Sequence, residues 1–300
     1  FVTAYLLILA WQKDYGHAAP APQQQAAAVT AHEVSADLPN AQNATAASDL
    51  PQANVTASQT TEHNTSVSQQ LISVQTDLYH LWINPKGGDI VRIELLSHDE
   101  SKDSDKPFVM LESDAKRTYV AQSGLIGLNG PDSSRGGRPM YDVEKTAYTL
   151  ADAKSVASKD GKTHQVLTVP LVFKTPEGVE VIKSFTFTQG DYPITVKHQV
   201  VNRSQQNWQG QMFGQLKRDN SDDPGKSSQG IFTLGTYLGG AWGTPEEPYN
   251  KLKFANFNDE KLNVEAKGGW VAMVQHYFVS AWIPGNLKLT QADGQPYNAK

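Results

Sequence analysis

After residue 70 the chain alternates apolar and polar positions with a period of two. Leu71-Ile72-Ser73-Val74 and Tyr79-His80-Leu81-Trp82-Ile83 predict two short strands parted at Thr76-Asp77. Asn84-Pro85-Lys86-Gly87-Gly88-Asp89 reads as a turn whose glycines can take positive φ. In the strand after it, Val91, Ile93 and Leu95 share one face while Arg92 and Glu94 take the other. The clearest hairpin comes later. Leu167, Val169, Leu171 and Phe173 alternate up to Thr175-Pro176-Glu177-Gly178, a type I turn signal, and Val179, Val181, Phe185 and Phe187 alternate back. Pro170 inside the first arm predicts a free edge or a bulge there. A third strand, Ile194-Val196-His198-Val200, follows Gly190-Asp191-Tyr192-Pro193, and a fourth is expected to begin near Trp208. The connectivity is a meander.

One stretch fits two periods. Trp270, Met273, Val274, Tyr277, Phe278, Ala281 and Trp282 suit the buried face of a helix, and equally two strands broken at Gln275-His276. Elsewhere, short strands with Gly, Pro and Asn turns and no βα alternation predict an all-β fold, a large antiparallel sandwich.

The first seventy residues follow other rules. Phe1 to Trp11 is an uncharged, largely apolar run, too short for the about 20 residues that a bilayer span needs, yet fit to be the distal part of one. Val2, Tyr5, Leu6, Leu7, Ile8, Leu9 and Trp11 are the candidate membrane-anchor residues of a segment taken as 1–15. Trp11 and Tyr15 stand where interfacial aromatics sit. A cleaved signal peptide is the competing reading, since Gly16-His17-Ala18-Ala19 follows. From Gly16 to Leu78 there is no Phe, Tyr or Trp. Residues 16–70 are therefore expected to form a disordered polar tether, with a reach of about 40 Å at roughly 5–6 Å times the square root of its length. The tether has no Lys or Arg, which favours the external side of a membrane. Residues 71–300 are expected to form the folded domain. Because residue 1 is Phe and Asp293-Gly294-Gln295-Pro296 reads as a turn leading onward, the chain is expected to be a piece of a longer protein whose domain continues past Lys300.

Charge adds little direction. Of the 26 Lys and Arg only Lys13 precedes residue 71, and of the 31 acids five do, which leaves 25 against 26 in the folded part. No basic excess points to nucleic acid. With no cysteine, disulfides, thiolate catalysis and Cys-bound zinc are excluded together.

No motif commits the chain to catalysis. Pro224-Gly225-Lys226-Ser227 ends like a phosphate loop, but the first glycine of that pattern falls on Asn220. Gly124, Gly127 and Gly130 are spaced as turn or bulge glycines, not as a nucleotide cradle. The eight histidines show no ligand spacing, so no metal and no cofactor is expected. His198, on an apolar strand face, reads as a hydrogen-bonded core histidine before a general base. Asp132, Asp219, Asp222 and Asp223 read as solvated loop acids before a glycosidase pair. Trp208, Tyr237, Trp242 and Tyr249 are candidates for a sugar groove, with core packing the plainer role for each.

The order of certain blocks carries more weight than any one of them. They are Gly87-Gly88-Asp89-Ile90, Ser123-Gly124-Leu125 with Gly130-Pro131-Asp132, Arg138-Pro139-Met140-Tyr141, Phe213-Gly214-Gln215-Leu216, Gly239-Gly240-Ala241, and Gly268-Gly269-Trp270-Val271-Ala272-Met273 through Ala281-Trp282-Ile283-Pro284. Together with the anchor and tether they resemble the YidC family of Gram-negative inner-membrane insertases. That resemblance implies a transmembrane signal anchor, then a large periplasmic β-supersandwich similar in architecture to galactose mutarotase, with strands at 270–283. It also implies a multi-pass inner-membrane protein with residues 16–300 in the periplasm. The implied partners are the Sec translocon and its accessory subunits, nascent membrane proteins and the lipid bilayer. No catalytic residue is expected. A periplasmic carbohydrate-binding or epimerase-like sandwich is the alternative, and would require a histidine and a carboxylate converging in one concave pocket.

Overall fold

The computed structural model describes residues 70–285 apart from 103, 134–136, 158–160, 225–236 and 258–261. The expected anchor residues, the tether up to residue 69 and the Gly225-Lys226-Ser227 segment lie outside the described residues. Among those described, no helix is long and apolar enough to cross a membrane.

Sixteen strands follow one another with three short 3-10 turns and no longer helix among the described residues: β1 (Ile72–Gln75), β2 (Tyr79–Asn84), β3 (Asp89–Asp99), β4 (Pro107–Ser113), β5 (Thr118–Ile126), β6 (Asp142–Val143), β7 (Ala147–Thr149), β8 (Lys154–Ala157), β9 (Thr163–Lys174), β10 (Val179–Thr188), β11 (Ile194–Asn202), β12 (Gln211–Arg218), β13 (Gly239–Gly243), β14 (Asn250–Lys253), β15 (Trp270–Val274) and β16 (Val279–Trp282). The all-β expectation holds. They fall into two compact units, one built on residues up to 96 with Gln122–Gly214, the other on Ser97–Ala121 with residues from 215 onward. Strands β3, β5 and β12 run through the divisions.

The first unit is a sandwich. On one side β1 and β2 form an antiparallel pair, β2 continues to β3, and β7 lies parallel to β1. On the other, β9, β10 and β11 form the expected meander, with β6 and β8 along the far side of β9. Alternation decides which side chains go inward. Ile72, Val74, Tyr79, Leu81 and Ile83 are at most 2% exposed, as are Leu167, Val169, Leu171, Val181, Phe185 and Phe187 from the opposite sheet. The rings of Tyr79 and Phe187 meet across this core at 6.1 Å.

Two details depart from regular alternation. Trp82 faces Arg92 but Ile83 faces Ile90, so Val91 is bulged out of register and Ile90 takes the core-facing place expected of Val91. Around Pro170 the far side of β9 is shared between β8, which pairs with residues 163–166, and β6, which pairs with Leu171 and Val172. Pro170 falls in the gap, where a missing N–H leaves no ladder position empty. The fourth strand begins at Gln211, three residues after Trp208, because Gln209 is held by Asn129 before pairing starts.

In the second unit β13, β14, β15 and β16 form an antiparallel sheet in the order β14-β13-β15-β16. The stretch 270–283 is thus a hairpin, reversed where the Gln275 N–H donates to the Phe278 carbonyl at 2.8 Å.

The β9–β10 turn closes as its sequence demands. Thr175 N–H donates to Val179 O at 2.8 Å, Gly178 N–H to Thr175 O at 3.1 Å, and Gly178 sits at φ +94°. A Cβ on Gly178 would meet nothing closer than 3.6 Å. Gly178→Ala should therefore lower stability by the left-handed backbone cost alone, about 1–2 kcal/mol, read as a shift in urea midpoint at unchanged slope.

Candidate functional site

In the first unit, four of the sequence blocks converge on one buried set of charges. The Arg138 guanidinium forks onto Asp89, with Nη1 donating to Oδ2 at 2.8 Å and Nη2 to Oδ1 at 2.9 Å. Its Nε donates to Asp132 Oδ1 at 2.6 Å, and Nη2 also reaches the carbonyls of Gly87 at 3.0 Å and Ser123 at 2.8 Å. Lys183 donates to the same two carbonyls, at 3.0 and 2.8 Å. The remaining carboxylate oxygen, Asp132 Oδ2, accepts from Leu125 N–H at 2.8 Å, and Asp89 Oδ2 accepts a second bond from Gln122 Nε2 at 2.9 Å. Two cations face two carboxylates, so the burial leaves no formal net charge.

The glycines of these blocks are where they must be. Gly87 and Gly88 take φ +78° and +63°, and a Cβ on them would stand 2.6 Å from Arg138 Cζ and 2.9 Å from Lys183 Cδ. On Gly124 a Cβ would stand 2.2 Å from Asp132 Oδ2. Gly87 N–H donates to Pro139 O and Tyr141 N–H to Pro85 O, which docks the 85–88 turn along 138–141.

Asp132 is 2% exposed, and burial pushes its carboxyl upward against the opposing pull of Arg138, the Leu125 N–H and Lys183. It is not the solvated loop acid expected. Lys183 is wholly buried, and desolvation pushes its ammonium down to about 7, with Arg138 adding to the fall while Asp89 and Asp132 oppose it. Period-two reading passed over it, although the sequence holds the signal: Lys183 occupies the inward place between Val181 and Phe185. His198, its register partner on β11, has both ring nitrogens buried with no hydrogen-bond partner among the described residues. The expected hydrogen-bonded histidine is thus an unpartnered one, pushed down to about 3 by burial and by the Lys183 and Arg138 charges.

A cleft of about 630 Å³ opens beside this cluster. Its walls are residues 128–133 and 137–139, the β9–β10 turn and the connection from Ser204 to Trp208. The loops brace each other. Trp208 Nε1 donates to Asn129 O at 3.1 Å, Gln209 N–H to Asn129 Oδ1 at 2.8 Å, and Asn129 N–H to Gln209 O at 2.9 Å. Among the described residues the lining is mainly proline, aromatic, amide and hydroxyl, with no histidine. Among them Glu177 is the carboxylate and Arg138 the cation, which is already committed to Asp89 and Asp132. The described residues of this cleft do not bring together a histidine and an acid.

The second unit buries its own ionic set. Arg117 and Arg218 both reach Asp223 Oδ1, at 3.4 and 2.6 Å, and Gln275 Nε2 donates to the same oxygen. Asp223, too, is an anchor and not a solvated acid. The Tyr119 ring lies 4.9 Å from the Arg218 guanidinium and 5.6 Å from that of Arg117, and burial pushes its phenol up to about 12. Asp219 is the exposed acid expected; it accepts from Thr118 N–H at 2.7 Å. Of the groove aromatics, Trp208 belongs to the first unit and Tyr237, Trp242 and Tyr249 to the second. Tyr237 donates to Leu252 O at 2.9 Å, and Tyr249 lies 6.0 Å from Trp270. Among the described residues no cluster of three or more His, Asp or Glu could hold a metal.

Residues 71–298 match the family described as the YidC periplasmic domain. The chain belongs to the YidC family. It is 42% identical over 294 residues to the membrane protein insertase YidC of Alcanivorax borkumensis, covering 94% of this chain and 48% of that relative. To the protein of the same name from Azotobacter vinelandii it is 39% identical over 299 residues, covering 98% and 51%. The chain spans about half the length of the curated relatives it matches. The blocks that converge on Arg138 are thus parts of a YidC periplasmic domain, and 270–283 holds the strands that the resemblance implied.

Removing Arg138 leaves Asp132 and Asp89 buried with one cation fewer, so Arg138→Leu should cost about 3–5 kcal/mol in chemical denaturation. The pH dependence has a defined sign. His198 and Lys183 both bind protons more weakly when folded, so the unfolded chain takes up more protons in each window. Stability should fall as pH drops from 10.5 toward about 7 through Lys183, and again from 6.5 toward about 3 through His198. Melting curves of His198→Leu should lose the acid fall, and those of Lys183→Met the alkaline rise.

Proposed function

We propose that this chain is the periplasmic portion of a membrane protein insertase, and that it works as a scaffold that makes contacts and changes no covalent bond. The observation that carries the reading is where the charge goes. In each unit buried arginines are turned onto carboxylates, Arg138 onto Asp89 and Asp132 and Arg218 onto Asp223, and the described lining of the cleft in the first unit is mostly Trp208, Phe173, prolines, uncharged amides and hydroxyls. Such a lining offers apolar surface and hydrogen bonds to an extended chain.

Membership of the YidC family supports nascent membrane proteins as clients and the Sec translocon with its accessory subunits as partners. Residues 1–15, including Val2, Tyr5, Leu6, Leu7, Ile8, Leu9 and Trp11, act as the anchor in this reading, and residues 16–70 as the tether. Insertion itself belongs to the remainder of the full-length protein. Its physical task is to shorten the apolar path of a polar segment, whose passage through hydrocarbon costs several kcal/mol.

Full-length protein would be tested in cells depleted of their own insertase. His198→Leu should restore membrane-protein insertion to the wild-type level, and a photo-crosslinking residue at Gln206 on the cleft rim should capture nascent membrane proteins or Sec subunits. Lost insertion at an unchanged amount of folded His198→Leu protein, or a rim that captures neither class, would overturn the scaffold reading.

A further inference from the structure

Among the described residues β11 is the outermost strand of its sheet, in the order β11-β10-β9-β6, and β10 holds it through nine register pairs. None of its apolar side chains is fully buried. After it, residues 202–206 fold on themselves, with Asn202 Nδ2 donating to Gln206 O at 2.8 Å and Ser204 N–H to Asn202 Oδ1 at 3.0 Å. That connection is a wall of the cleft. Arg203 fastens it, through its N–H on Gly178 O at 3.0 Å and an ion pair with Glu180 in which the arginine side chain is 68% exposed. Both ends are tied down, since Gly190 N–H donates to the Asp77 carboxylate at 3.0 Å and Trp208 Nε1 to Asn129 O at 3.1 Å. An edge element with little buried apolar surface is the kind that opens without the rest.

One side chain makes that opening depend on protons. His198 is the register partner of Lys183, and both its ring nitrogens are shut away from water with no hydrogen-bond partner among the described residues. The charges that act on the ring, Lys183 and Arg138, are both cations. Asp89 and Asp132, the acids of the cluster, are bonded to Arg138, and neither makes a hydrogen bond to the ring. A proton on the imidazole is therefore a third positive charge beside two acids, with neither water nor carboxylate to hold it, and leaving the sheet gives the ring water. A solvated imidazole binds its proton near 6.5, whereas burial first and the two cations second hold this one down to about 3, so acid favours the open form.

We propose that residues 194–207 are an acid-released strap: a proton on His198 frees β11 from β10, and the 204–207 wall of the cleft leaves with it. Lys183 stays on β10 with its bonds to Gly87 O and Ser123 O, so the change in proton binding falls chiefly to His198.

Hydrogen exchange of the 300-residue chain, read by mass spectrometry at several low urea concentrations and corrected for the intrinsic exchange rate at each pH, tests this. Amides of β11 and of residues 203–207 should exchange through an opening more populated than that of β9 and nearly independent of urea. That opening should rise about 30-fold from pH 7.5 to pH 5, the linkage factor for an imidazole held at about 3 when closed and 6.5 when open. In His198→Leu and His198→Phe, whose side chains take no proton, most of the rise should be gone. Equal protection and equal urea dependence in β11 and β9 would overturn the proposal, because β11 would then leave only when the whole unit unfolds. So would a β11 opening unchanged by acid, or a rise as large in either folded variant as in the wild type. Residues 203–207 staying protected while β11 opens would overturn the link to the cleft.

Discussion

Burying an arginine obliges the fold to bring it partners, and Arg138 is where that obligation organises the first unit. Its guanidinium makes five hydrogen bonds, to Asp89, Asp132, Gly87 O and Ser123 O, from segments up to 51 positions away in sequence. An ionised group taken out of water without compensation costs several kcal/mol, so partial assembly of this set is unfavourable and full assembly fixes four loops at once. Such a cluster adds little net stability compared with an apolar core of the same volume. Its effect is on geometry: it holds the 85–88 turn, the β5 strand and the segments around Asp132 and Arg138 against one another. The cleft inherits its shape from that arrangement, because Pro131, Arg138 and Pro139 belong both to the cluster's loops and to the cleft wall.

The second unit meets the same constraint with a different balance. Two arginines share one carboxylate, and the Tyr119 and Phe254 rings take up part of what a second acid would do in the first unit. Aromatic faces attract a desolvated guanidinium electrostatically without carrying a charge that would itself need solvation. Burial and the neighbouring Arg218 lower the affinity of Arg117 for its proton, and Asp223 offsets this. Asp223 is thus to the second unit what Asp89 and Asp132 are to the first, the acid that the buried cations share, while Val109 O, Met110 O and Ser221 O accept from them as well.

These features differ in how far they could be read from sequence. The β9–β10 hairpin was legible because its alternation is strict and its turn chemistry local, with all the deciding residues within one stretch. The hairpin at 270–283 was ambiguous for a physical reason: its edge strand is apolar on both faces, and a two-sided apolar strand satisfies a helical period as well as its own. Bulging at Val91 was hidden because it depends on register with β2. Asp132 and Asp223 looked like solvated acids since Gly-Pro-Asp and Ser-Asp-Asp-Pro are turn sequences, and the arginine that buries Asp223 deepest in sequence terms, Arg117, lies 106 positions away. Lys183 left a trace, a charged residue at a core-facing position, but what it binds is two backbone carbonyls, and carbonyls have no sequence signature.

Turning the charges inward also decides what kind of recognition is left to the surface. Residues 71–300 carry 25 basic against 26 acidic side chains, and the buried set around Arg138 cancels within the first unit. A surface without a strong field of one sign gains little from electrostatic steering, which normally speeds association and rejects wrong partners by like-charge contact. What remains is apolar contact and hydrogen bonding to amide-rich loops, which tolerate variation in a partner's sequence. For the scaffold role proposed above, such tolerance is the useful property. The ionic clusters fix the interior, which allows the surface to be permissive without the fold becoming so.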